Sequence, residues 1–83
     1  MSWRVALSPV AMRDLRKLER KLVERVFAAV ERYAADGHGD VKRLQGSDEY
    51  RLRVGDWRVR FELEATTQTL TVLRVLPRGS AYR

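Results

Sequence analysis

The hydrophobic positions of this chain alternate, then recur at helical spacing, then alternate again. Trp3-Arg4-Val5-Ala6-Leu7 alternates briefly, which predicts a short strand. Ser8-Pro9 follows as an N-cap with proline at the first helical position. From there Met12, Leu15, Leu18, Leu22, Val26, Val30 and Tyr33 recur at spacings of three and four, the apolar stripe of an amphipathic helix reaching to about Ala35. Asp36-Gly37-His38-Gly39-Asp40 supplies the glycines expected after a helix. A helical span of this length suits an antiparallel pair broken near Leu18 to Lys21, but no proline or glycine marks a break there, and one helix or two are both compatible with the pattern.

Residues 36–49 are polar and turn-rich around a short Val41-Lys42-Arg43-Leu44, and they read as a loop. A hairpin follows, with strands near 49–54 and 57–64. Tyr50, Leu52 and Val54 alternate with Arg51 and Arg53; beyond a Gly55-Asp56 turn, Trp57, Val59 and Phe61 alternate with Arg58 and Arg60. Leu70 to Leu76 is apolar apart from Thr71 and Arg74, as in a central strand covered on both faces, and Pro77 ends it ahead of a short polar tail. The order β-α-α-β-β-β predicts one α+β domain spanning residues 1–83, with two helices packed on an antiparallel-rich sheet.

Composition bounds what such a domain can do. For 83 residues, size scaling leaves about 5,000 Å² exposed out of about 14,000 Å² in the unfolded chain, enough for one modest core. The absence of cysteine removes disulfides and thiolate metal sites and suits a reducing compartment. No apolar run is long enough for a signal peptide or a membrane span, so the expected location is the cytoplasm, away from membranes. Lys and Arg number 17 against 11 Asp and Glu, a net charge of +6 that attracts nucleic acid, an anionic surface or an acidic protein segment. Charge alone does not separate such a partner from a solvated surface.

The arginine pattern is more specific. Strand side chains point alternately to opposite faces, so burying the apolar set gathers Arg51, Arg53, Arg58 and Arg60 on the other side. Like charges on neighbouring strands cost stability, and a polyanion offsets that cost. The planar guanidinium fork suits phosphate. On pattern alone a solvated sheet face accounts for these four arginines equally well. Arg74 is different, since a charge within an apolar strand needs a partner.

Other chemistry is thinly represented. His38 stands between glycines with no second ligand at metal spacing, Ser8 serves as a cap, and Ser2, Ser47 and Ser80 have no histidine near them in sequence. No phosphate-binding glycine loop or dinucleotide fingerprint occurs, so no metal or cofactor is expected. Arginine and tyrosine remain. Such a set can serve a metal-free ribonuclease that places the RNA's own 2′-hydroxyl in line with the adjacent phosphorus. Tyr82, or less favourably Trp57, would stack on a splayed base, although alternation assigns Trp57 and Phe61 to the core.

Asp14-Leu15-Arg16-Lys17-Leu18, Lys42-Arg43-Leu44-Gln45-Gly46, the stretch from Tyr50 to Val59, and Val72-Leu73-Arg74-Val75-Leu76-Pro77-Arg78 followed by Tyr82 together resemble the RelE side of the RelE/ParE superfamily of bacterial toxins. The resemblance covers almost the whole chain. It implies a compact β-α-α-β-β-β fold and cleavage of mRNA on the ribosome by 2′-hydroxyl attack without metal. It also implies roles for particular residues. Arg51 and Arg53 stand where the family often has basic catalytic residues, Arg58 at the phosphate-binding arginine, and Arg78 and Tyr82 at the C-terminal arginine and tyrosine. Lys42, Arg43, Arg60 and Arg74 complete the expected RNA-binding set.

Where some members carry lysines suited to proton transfer, this chain has Arg51 and Arg53, with Glu49 and Glu62 as weak substitutes. The implied partners are a cognate antitoxin protein, mRNA on the ribosome, and operator DNA reached only through the antitoxin. Two rival functions are a ParE-like toxin that inhibits DNA gyrase by binding, and a weak toxin acting mainly as corepressor. Arg78 and Tyr82 favour the nuclease.

Overall fold

A computed structural model of the chain describes residues 2–79. Its elements are β1 (Arg4–Leu7), α1 (Pro9–Arg16), α2 (Arg20–Asp36), β2 (Val41–Arg43), β3 (Glu49–Val54), β4 (Trp57–Glu64) and β5 (Thr69–Pro77). The strands form one five-stranded sheet in the order β1-β5-β4-β3-β2. Only β1 and β5 run parallel; the other neighbours are antiparallel. This is the expected α+β architecture with one strand more. Val41–Arg43, read from sequence as loop, is the edge strand β2, with Val41 opposite Leu52 and Lys42 opposite Arg51. A three-residue strand with one apolar side chain has no period of its own, and its conformation comes from pairing with β3.

The helical span is broken at residues 17–19. Ser8 caps α1 by accepting the Ala11 N–H at 3.0 Å, and its hydroxyl donates to the Leu73 carbonyl of β5. The helix closes with Lys17 and Leu18 N–H groups bonded to the Asp14 and Leu15 carbonyls, and Arg13 and Arg16 in its last turn complement the helix dipole. Glu19 is extended (φ −63°, ψ 149°), which redirects the chain into α2 without proline or glycine. α2 ends as expected at Gly37, whose φ of +81° is left-handed and whose N–H returns to the Tyr33 carbonyl. Among the described residues no helix is long and apolar enough to cross a membrane.

Both helices cover one face of the sheet. Ala11 and Leu15 of α1 and Val26, Val30 and Ala34 of α2 are buried against Leu52, Val54, Val59, Phe61, Leu70, Val72 and Val75. Phe61 is the hub, with the Tyr33 and Tyr50 rings 5.3 Å and 5.5 Å from its own. Met12, placed on the apolar stripe by spacing, is exposed instead, because α1 turns Ala11, Asp14 and Leu15 inward. Trp57 is only half-buried, packed on the margin of the core.

β5 departs from simple alternation. Arg60 pairs with Arg74 but Phe61 pairs with Val72, so Leu73 is an extra residue in a β-bulge. The slip lets Val72 and Val75, three apart, both reach the core. β5 is interior to the sheet between β1 and β4, yet Leu73 and Leu76 on its second face are only half-buried. β1 accompanies it only as far as Val72; beyond that α1 lies along it. Asp14 occupies that stretch of edge, accepting the Val75 N–H at 2.9 Å as a neighbouring strand would.

Candidate functional site

The sheet face away from the helices carries the arginines in cross-strand rows. Register places Lys42, Arg51, Arg60 and Arg74 side by side, one from each of β2, β3, β4 and β5. In the next row toward the hairpin turn, Arg53 faces Arg58. Directly paired residues share a face, so the hairpin arginines gather as alternation predicts. Lys42, Arg51, Arg53 and Arg58, with Asp40, line a cleft of about 120 Å³.

Arg58 is the anchor of the cleft. Only 7% of it is exposed, and one terminal nitrogen, Nη1, donates to the carbonyls of Gly55 and Trp57, each at 2.9 Å. Gly55 adopts φ +58° at the first position of the two-residue turn, a conformation that favours glycine, and this turn presents its carbonyl to Arg58. The carbonyls orient the guanidinium without cancelling its charge. A buried cation held by neutral groups and flanked by further cations is a site for an anion, and phosphate matches the fork.

In the longer row, Arg60 and Arg74 are engaged by carboxylates. Arg60 donates from Nε to Glu49 Oε2 at 2.9 Å. Arg74 donates from Nε to Asp14 Oδ2 at 2.9 Å and from Nη2 to Oδ1 at 3.3 Å, which supplies the partner its position in an apolar strand requires. Burial alone would push the Asp14 carboxyl up, but hydrogen bonds from Arg74 and the Val75 N–H, with the charges of Arg74 and Lys17, outweigh it and hold the group below its ordinary value. The same hydrogen bond raises Arg74.

The remaining expected residues are spread more widely. Arg43 is paired with Tyr50 in register, which puts it on the opposite face from Lys42, where it bonds the Ser47 carbonyl and Asp48 Oδ1 at 3.1 Å and 3.2 Å. Arg78 is exposed just past β5, its N–H donating to the Asp56 carbonyl at 2.9 Å, so its backbone is fixed beside the turn that holds Arg58. Tyr82 lies outside the described residues. Glu49 and Glu62 face each other in a separate row, and Glu49 is already bonded to Arg60. Two residues went unnoticed in the sequence. Asp40 lines the cleft as a consequence of β2, and Arg25 of α2 reaches the turn, where a Cβ on Gly55 would meet its Nη2 at 3.0 Å.

Two helices on one face of a small mixed sheet, with a cationic cleft on the other, define a RelE-like toxin. The family model described as the ParE toxin of type II toxin-antitoxin systems matches residues 5–82, and the chain belongs to that family. Solved structures agree on the fold. A chain of the archaeal RelE-RelB complex from Pyrococcus horikoshii OT3 matches with a TM-score of 0.80 and 26% identity, over 98% of this chain and 100% of that one. The RelBE2 toxin-antitoxin complex of Mycobacterium tuberculosis matches at 0.74 and 24%, over 94% and 100%. The YoeB/ParE toxin from Agrobacterium tumefaciens matches at 0.76 and 14%, over 89% and 96%. No curated protein matches the sequence.

Proposed function

We propose that this toxin is a ribosome-dependent mRNA endonuclease, neutralised by a cognate antitoxin. The observation that carries the reading is Arg58, buried and hydrogen-bonded, among the described residues, to backbone carbonyls in a cleft shared with Lys42, Arg51 and Arg53. An RNA phosphate in that cleft is gripped from several sides, and the adjacent 2′-hydroxyl attacks in line without a resident metal. Fixed cations stabilise the charge that grows on phosphorus, and positioning supplies much of the remaining acceleration. Arg78, anchored beside the turn, stabilises the departing oxygen, and Tyr82 stacks on the base. Arg60 and Arg74 exchange carboxylate partners for RNA phosphates at the border of the cleft.

The antitoxin partner is supported by the company of the similar folds, which were solved as RelE-RelB and RelBE2 complexes. A net charge of +6 favours an acidic segment lying over the basic face. Operator DNA is reached through that complex.

Inducing the toxin should arrest growth and cut translated mRNA, and Arg58→Ala or Arg78→Ala should relieve both while circular dichroism shows the fold intact. Undiminished cutting by both variants rejects the assignment. The family model's description as a ParE toxin favours a second reading, gyrase inhibition by binding. Assaying plasmid supercoiling and translated-mRNA integrity on the same induced cells decides between the two.

A further inference from the structure

Attack by a 2′-hydroxyl releases a proton, and departure of the 5′-oxygen takes one up. Arginine is a poor vehicle for either at neutral pH, since its guanidinium stays charged. The geometry points to Asp40 as the proton acceptor and Lys42 as the proton donor of the cleft, an assignment that rests on the RNA-cleavage reading above.

Both residues come from the segment that builds β2. They are two apart in an extended stretch, which places them on one side of the chain, and both line the cleft with Arg51, Arg53 and Arg58. Asp40 is the carboxylate of that lining. Its backbone carbonyl is fixed by the Arg53 N–H at 2.9 Å, whereas its Oδ2 stands 3.9 Å from Arg53 Nη1, too long for a hydrogen bond. The side chain is 58% exposed, so a substrate can reach it. The two carboxylates suggested by sequence are placed less well. Glu49 is bonded to Arg60, and Glu62 sits in the row beyond it, farther from Arg58.

The step balances without any co-reactant. As the O2′–P bond forms, the O2′ proton passes to the Asp40 carboxylate. As the P–O5′ bond breaks, its electron pair stays with O5′, which takes a proton from the Lys42 ammonium. The products are a 2′,3′-cyclic phosphate and a 5′-hydroxyl, and solvent returns the proton from Asp40 to Lys42. The charged groups facing the pair are Arg51, Arg53 and Arg58, which remain cationic throughout and hold the phosphate.

Single-turnover cleavage of mRNA on programmed ribosomes, followed across pH with the full-length toxin, tests the assignment. Asp40→Asn should slow cleavage about 100-fold or more, leave RNA affinity undiminished, and abolish the rise of rate with pH on the acidic side. Asp40→Glu should restore part of the rate. Lys42→Met should slow cleavage of ordinary RNA by a similar factor. A substrate with sulfur in place of the bridging 5′-oxygen, whose leaving group departs without protonation, should rescue Lys42→Met but not Asp40→Asn. A role for Asp40 in merely steadying Arg53 predicts weakened RNA binding with an unchanged pH profile, and that result overturns the assignment. So does an Asp40→Asn variant that cuts at the wild-type rate. If the wild-type protein leaves ribosome-bound mRNA whole, the endonuclease reading itself falls and takes this assignment with it.

Discussion

Arg53 and Arg58 stand directly opposite each other across the β3–β4 ladder, one exposed and one almost wholly buried. Like charges at paired positions oppose folding, by roughly 0.2–1 kcal/mol, and an anion between them reverses the sign. Arg53→Gln should therefore stabilise the free protein by an amount of that order, read from urea unfolding. The same substitution should weaken binding of a short RNA about tenfold, equivalent to about 1.4 kcal/mol. Phosphate or RNA should also raise the melting temperature of the wild type more than chloride does at equal ionic strength, and the variant should lose most of this difference.

Asp14 gives the fold an acid-sensitive joint. Its folded-state pKa lies below the ordinary 3.8, so its contribution to stability is complete above that value. The contribution declines as pH falls past 3.8 and through the depressed folded value. Asp14→Asn keeps an oxygen for the Val75 N–H but removes the titration, and its unfolding free energy should be flatter with pH in that acidic window. Asp14→Ala should cost about 2 kcal/mol at neutral pH, since both Arg74 and Val75 lose their acceptor. The figure is smaller than for a fully buried pair because the Arg74 side chain is 40% exposed. Denaturant titrations at several pH values check both expectations.

Leu73 is the extra residue of the last strand. Deleting it would remove the bulge and leave Phe61 opposite Val72 and Arg60 opposite Arg74 in unbroken alternation, so Arg74 and Val75 keep their faces. The deletion should therefore retain cooperative unfolding and near-ultraviolet ellipticity, at a cost of about 1–3 kcal/mol for the lost side chain and the altered strand twist, read from urea unfolding. Leu73→Ala keeps the count of residues and removes only a half-buried side chain, so it should cost about 1 kcal/mol and retain the transition.

The parts of this fold that were legible beforehand are those with a strong period. The β3–β4 hairpin, its Gly55-Asp56 turn, and the gathering of Arg51, Arg53, Arg58 and Arg60 on one face all follow from alternation. The helix break was not legible, because extended Glu19 redirects the chain without a breaker residue. Nor was β2, whose conformation is imposed by β3, and with it went Asp40. Arg43 stands beside Lys42 in the RNA-binding set expected from sequence, although neighbours in a strand point to opposite faces. Which arginines hold carboxylates and which hold carbonyls depends on contacts as distant in sequence as Asp14 and Arg74, and no local pattern carries that information.

The short strand β2 and the four-residue β1 also decide how the sheet ends. Each outer border offers only a few unpaired backbone groups, and each carries cations, Lys42 and Arg43 on one side and Arg4 on the other. A second molecule cannot extend the ladder far against such ends, so fibrillar self-association has little to template on. The same segment that lines the cleft thus guards the molecule's solubility.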